Sequence, residues 1–402
     1  MKKATAAPIL VWGVLAGLLA LAPTAGPRPA QATIPAPVVL PTKPAPPVDF
    51  HSDEIAKFIS GLPCSTDSLR ALQETPEWKA YAAALDKGWA EIEAKRLQPI
   101  REWAGAELAE PNRVTRTLFY PFGGPDFLTA YNLFPQASTY VLFGLEFVGK
   151  LPDFDATRPK EGKHVENYLG NLSTALSDFI NKSYFITRNM NAALARDKVA
   201  GVLPVICLFL KRTNHTISAI KRCEFLAPGE VFEYDFAYPR KTFRKPYGVK
   251  IEYFQNGSDT VRSLYYFSCD IADESFPKDG LYYRFLEGLN FETTYIKSAS
   301  YLMHYKLFAN IRGLILAKSR FVLEDDTGIP FKYFGPKVWD ARLYGEYTAP
   351  VSDFKGVEQA DLKAAYTNGA AVRKLPFHLG YHWGSNKDSI LYFSRKNGEI
   401  PR

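Results

Sequence analysis

Three acids stand in a row at Glu324-Asp325-Asp326, at the end of an apolar run and just before Thr327-Gly328. A fourth, Asp126, follows the glycine pair Gly123-Gly124. Carboxylates placed at strand ends beside turns are the groups that hydrolases of glycans use in pairs, one as acid and one as base or nucleophile. Asp126, Asp325 and Asp326 are therefore the candidate catalytic carboxylates, with His304 as a candidate general base between Tyr301 and Tyr305. Asp also caps helices and opens turns for local hydrogen-bonding reasons, and a half-buried His bonds backbone carbonyls. The residue types alone therefore do not make these positions catalytic.

Other chemistries find less support. Gly144 to Lys150 has most of a phosphate-binding loop, but Leu151 stands where a magnesium-holding Ser or Thr belongs, and Pro152 follows. It reads as the end of a buried strand. No two glycines are two residues apart, and no G-x-S-x-G occurs. His378 and His382 read as strand residues, about 13 Å apart at strand rise, too far to share a metal ion. No cofactor and no metal site is expected.

These groups need elements to hold them. Thr75 and Pro76 open a helix whose apolar stripe is Trp78, Tyr81, Leu85, Trp89 and Ile92, with Pro99 as an interruption. A second helix is predicted from Thr294 to Lys318. Strands are predicted over 114–120, 139–148, 202–211, 217–226, 231–237, 249–254 and 261–269. Asn256-Gly257 marks a hairpin between the last two. A further hairpin is expected between 377–383 and 389–394, turning at Gly384-Ser385-Asn386. Grouped helices and hairpin-joined strands give an α+β fold: a helical N-terminal part packed on a mainly antiparallel sheet. The expected division is a leader at 1–32, a linker at 33–49 and one compact domain at 50–402, with a helical subdomain at 50–110.

The strings Tyr120-Pro-Phe-Gly-Gly-Pro-Asp-Phe127 and Leu323-Glu-Asp-Asp-Thr-Gly-Ile-Pro-Phe-Lys-Tyr-Phe334, with Thr139 to Glu146, resemble a family of secreted bacterial proteins of unknown activity. The resemblance implies export and a single compact body, and brings no reaction, cofactor or catalytic residue with it.

Lys2-Lys3, an apolar run from Ile9 to Ala22 and the small residues Ala30-Gln31-Ala32 have the layout of a bacterial secretory signal. The run is too short to span a bilayer. Six prolines between Thr33 and Asp49 make an extended spacer. The chain is expected in the periplasm or outside the cell, without a membrane span after cleavage. Removing Lys2, Lys3 and Arg28 takes the formal charge from +7 to +4. Its cations are scattered, with the densest set at Arg240 to Lys245, so no nucleic-acid partner is expected. Four cysteines in an oxidising compartment predict disulfides. Cys207 and Cys223 each lie eight residues from His215, opposite one another in a hairpin turning there, and Cys64–Cys269 remains by elimination.

The first function this supports is binding of a small molecule or envelope polymer without catalysis. Glycan or envelope-polymer hydrolysis by paired carboxylates is the second, and a structural role in a surface complex is the third.

Overall fold

The computed structural model describes residues 45–182, 192–195, 197–236, 247–354, 356–368, 371–382 and 387–396. These belong to one contact unit, Pro44–Arg402. The leader, most of the proline spacer, the basic stretch Arg240 to Lys245 and the Gly384–Asn386 turn lie outside the described residues.

The N-terminal segment is helical: α1 (Phe50–Ile59), α2 (Asp67–Gln73), α3 (Pro76–Ile92), α4 (Gln98–Glu107) and α5 (Ala109–Val114). Thr75 caps α3 by accepting from the Trp78 amide, and Pro76 occupies its first turn. One π-helical turn, Glu93–Leu97, joins α3 to α4. Pro99 therefore falls in the first turn of α4, where its missing N–H is harmless.

Ten strands form a single mixed sheet: β1 (Thr117–Tyr120), β2 (Thr139–Gly144), β3 (His215–Ala227), β4 (Glu230–Asp235), β5 (Tyr247–Gln255), β6 (Arg262–Ser268), β7 (Thr293–Ile296), β8 (Phe321–Glu324), β9 (Trp339–Gly345) and β10 (Ser389–Arg395). Their order is β4-β3-β5-β6-β2-β1-β7-β8-β10-β9. The fold is α+β, and the outer ladders are antiparallel. The β5–β6 hairpin carries Gly257 at φ 87°, as Asn256-Gly257 predicts. At the centre, β6, β2, β1, β7 and β8 run parallel.

The parallel block follows from its residues. Along β1, Leu118 and Tyr120 enter one core while Phe119 enters the other; Tyr140 and Leu142 divide from Val141 and Phe143 in the same way. A strand apolar on both sides must be covered on both sides. One face carries α1, α6 (Phe127–Leu133), α7 (Glu161–Lys182) and α8 (Leu203–Arg212). The other carries α9 (Leu281–Gly288), α10 (Ala309–Lys318) and α11 (Ala360–Asn368).

Several expectations are corrected. Residues 203–212 are helix α8, not a strand: every position from Leu203 to Lys211 is buried, and a run apolar all round carries no period by which to tell the two apart. Cys207 consequently lies in the core of one sheet face and Cys223 in the core of the other, so the Cys207–Cys223 bond does not form. Cys64 and Cys269 are likewise buried and free, on α1's side and at the end of β6. Residues 294–318 are not one helix but β7, two single 3₁₀ turns at Leu302–His304 and Lys306–Phe308, and α10. Residues 377–382 form no strand; Gly380–His382 is a 3₁₀ turn, and β10 pairs with β8 and β9 instead. Among the described residues no helix is long and apolar enough to cross a membrane.

Candidate functional site

The parallel strands all end at one edge of the sheet. After β1 the chain passes through α6 on one face; between β7 and β8 it passes through α10 on the other. Connections that leave to opposite faces open a crevice between them, at the carboxyl ends of the strands. A cavity of about 170 Å³ lies there. Phe122, Leu145, Leu302 and Phe308 give it apolar walls, and Asp126, Lys297, Ser298, Ser300 and Tyr381 supply polar groups.

The backbone around it is strained. Among the described residues seven non-glycine residues have positive φ, and four are here: Phe122 at 59°, Ser298 at 53°, Ser300 at 51° and Tyr301 at 55°. Such conformations persist only where surrounding bonds over-determine them. Asp126 caps α6 by accepting from the Thr129 amide (3.0 Å), and it also accepts from the Tyr120 hydroxyl (3.2 Å). Its other donor is Lys297 Nζ at 2.6 Å, an ion pair with both side chains almost wholly buried. Burial pulls the Lys297 ammonium below the usual lysine range, against the opposing pull of Asp126.

One strand further, Asp325 Oδ2 accepts from the Ser298 amide (2.8 Å), and Oδ1 from the amide and hydroxyl of Thr327. Burial, then the neighbouring charge of Asp326, pushes Asp325 up to about 6 despite those donors. Asp326 takes the Tyr301 hydroxyl (2.5 Å), Ser389 Oγ (3.3 Å) and His382 Nε2 (3.4 Å). Burial alone would lower His382, but the hydrogen bond and charge of Asp326 raise it. Glu324 points into the interior with Oε1 unpartnered and Oε2 accepting from the Ile329 amide (2.9 Å); burial drives its carboxyl well above the ordinary range. His304 packs edge-on against Tyr301 with ring centroids 5.3 Å apart, and burial holds it down to about 4, so it is neutral.

The four residues singled out from sequence thus gather at one sheet edge. Asp126 and Asp325 both act on Lys297, and Asp326 on Tyr301 and His304. Only Asp126 reaches the cavity wall; the other three stand behind it. Lys297, Ser298 and Tyr381 were hidden from sequence reasoning, because 294–318 reads as helix and 377–383 as strand. The run Lys297-Ser-Ala-Ser300 after β-branched Thr293-Thr294 was the available sign of a strand closing in a tight turn. His378 pairs with a different acid from His382, Asp388 at 2.5 Å. No group of three or more metal-ligating side chains occurs among the described residues. Gly144 ends β2, as expected of a buried strand; a Cβ there would meet Gly124 Cα and the Tyr266 hydroxyl, each at 2.8 Å. No known family, no curated protein and no solved structure matches this chain.

Proposed function

We propose that this protein binds a small ligand in the crevice at the carboxyl ends of β1, β2, β6 and β7. The observation that carries the reading is the convergence of three left-handed, non-glycine residues, Phe122, Ser298 and Ser300, on the wall of a single cavity. Each such residue costs about 1–3 kcal/mol. Strain of this size concentrated at a sheet's switch point is a feature of binding sites rather than of packing. The walls favour a ligand with an apolar body on Phe122, Leu145 and Phe308 and a hydrogen-bonding group toward Ser298, Ser300 and Tyr381. The lysine-led leader supports a ligand met in the periplasm or outside the cell.

Binding stands ahead of glycan hydrolysis through paired carboxylates for a stated reason. Asp126, Asp325 and Asp326 each take three donors and are 2%, 7% and 2% exposed, leaving little of any carboxylate to meet a sugar. Methyl NMR of Ile/Leu-labelled protein tests the reading, with fractionated envelope small molecules and neutral alkyl glycosides as titrants. Shifts should concentrate at Leu145, Ile271 and Leu302 and vanish in Ser300→Trp. Shifts confined to other methyls would refute it.

A further inference from the structure

The turn Gly380–His382 joins the crevice to the acids behind it, because its two side chains go separate ways. Tyr381 lines the crevice. Its hydroxyl donates to the Ser298 carbonyl (2.9 Å) and takes part in a second hydrogen bond with Ser300 Oγ (2.8 Å). It thereby ties together two of the left-handed residues of the wall. Its ring stacks on Phe354, 5.7 Å between centroids, and Phe354 packs on Tyr301. His382 turns to the acids instead. Its Nε2 lies 3.4 and 3.5 Å from the two oxygens of Asp326, whose side chain is 1% exposed. Before the turn the chain is held by Asp388, which accepts from the Leu379 amide (2.9 Å) and meets His378 Nδ1 (2.5 Å). Gly380, at φ +70°, supplies the bend.

The hold of His382 on Asp326 depends on a proton. Neutral, the imidazole offers one long hydrogen bond; charged, it adds an ion pair that water screens little. Burial pulls His382 down, but the hydrogen bond and charge of Asp326, with the charges of Asp325 and Asp388, raise it on balance above the ordinary histidine value. Its side chain is 13% exposed, so the proton can exchange with solvent. Tyr301, His304, Tyr347 and Tyr366 feel the same Asp326. Burial holds His304 down to about 4, lifts Tyr347 to about 12, and raises Tyr301 and Tyr366 as well. Burial and Asp326 bring Asp325 to about 6. None of these changes charge between pH 7 and pH 9. Glu324, raised by burial, also feels Asp326 and is kept in every variant below.

We propose that the Gly380–His382 turn is a proton-operated clasp on the crevice: charged His382 holds Tyr381 across Ser298 and Ser300, and loss of the charge frees Tyr381 and opens the crevice to ligand. The opening to ligand rests on the crevice being the ligand site, as argued above. The closed form binds the proton more tightly. The clasp is therefore fully closed below the ordinary histidine value and opens as pH rises through the raised one.

Hydrogen–deuterium exchange of the full chain, corrected for the chemical rate, reads the clasp without a ligand. Freeing Tyr381 removes two of the bonds that fix a strained turn. Amide protection over 298–304 should fall about tenfold between pH 7 and pH 9, the scale of one linked proton, while β2 keeps its protection. His382→Gln, never charged, should show the low alkaline protection at both pH values. Tyr381→Phe should do the same although its His382 still titrates. His382→Lys, a cation to pH 9, should stay protected throughout. Wild-type protection that does not change, or an equal fall in His382→Gln, overturns the clasp. Methyl NMR with octyl glucoside and the envelope fractions, at both pH values, separates the two readings. Crevice shifts without the fall in protection overturn the clasp and leave the ligand site. The fall in protection with crevice methyls that ignore every titrant supports the clasp and overturns the ligand site.

Discussion

Replacing Asp126 by Asn changes one charge and little else. The amide oxygen can still cap α6 through the Thr129 N–H, as Asn does at helix starts. What disappears is the anion 2.6 Å from Lys297 Nζ, in a pair whose side chains are 2% and 3% exposed. Removing one member of a buried ion pair costs about 3–5 kcal/mol, because the other charge is left in a medium that solvates it poorly. Arg96 lies close enough to act on Lys297 as a second cation, which adds to the imbalance. With an m value of about 3 kcal/mol/M, the loss moves the urea midpoint down by about 1 M or more. The double variant Asp126→Asn/Lys297→Met removes the stranded cation and should recover about 2 kcal/mol or more of the loss. Raising the pH should help the single variant too. Buried Lys297 loses its proton more readily than an unfolded lysine, so the unfolded chain binds more protons and stability rises toward pH 10. Urea titrations followed by far-UV circular dichroism measure all of this. A double variant no more stable than Asp126→Asn would show that the pair is not the unit holding β1 to β7.

Burial holds the Glu324 carboxyl well above the ordinary glutamate range, so the stability its proton supplies is lost as pH rises from the ordinary glutamate value through its raised native one. Glu324→Gln should match the wild type near pH 4 and exceed it in thermal stability at pH 8; an identical pH dependence in the two would refute the assignment. Gly380→Ala places a carbon 2.7 Å from Asp325 Oδ2 at φ +70°, and should cost about 2 kcal/mol while abolishing the ligand-induced shifts of the crevice methyls. All four thiols are buried, and burial lifts Cys64 to about 12. Ellman's reagent should therefore find almost none in native protein and four after denaturation without reductant, whereas two or none in denaturant would refute free thiols.

The sequence was legible where local chemistry settles the outcome. Thr75-Pro76 starts a helix and Asn256-Gly257 turns a hairpin whatever surrounds them, and both are as read. It was illegible where burial erases periodicity. Leu203 to Leu210 is apolar on all sides, so helix and strand look alike there, and the disulfide argument built on a strand failed with it. The parallel centre of the sheet escaped for a related reason. Its strands are only four to seven residues long and pair across wide sequence gaps, as Leu118 does with Thr293, and no local pattern records that pairing. The acids at 126, 325 and 326 were visible because turn residues flank them. Ser298 and Lys297 were not, because their significance lies in a left-handed turn that ordinary L-residues seldom adopt.

Among the described residues strand β10 is the last regular element, yet it lies inside the sheet, hydrogen-bonded to β8 on one side and β9 on the other. The wall that carries Asp325 and Asp326 therefore has no neighbour on its outer flank until Ser389–Arg395 has been synthesised and inserted. A chain lacking Ser389–Arg395 leaves that flank of β8 unpaired. Premature termination anywhere before Ser389 would yield a long polypeptide with an open apolar seam, a species for proteases to clear rather than a shortened but working protein.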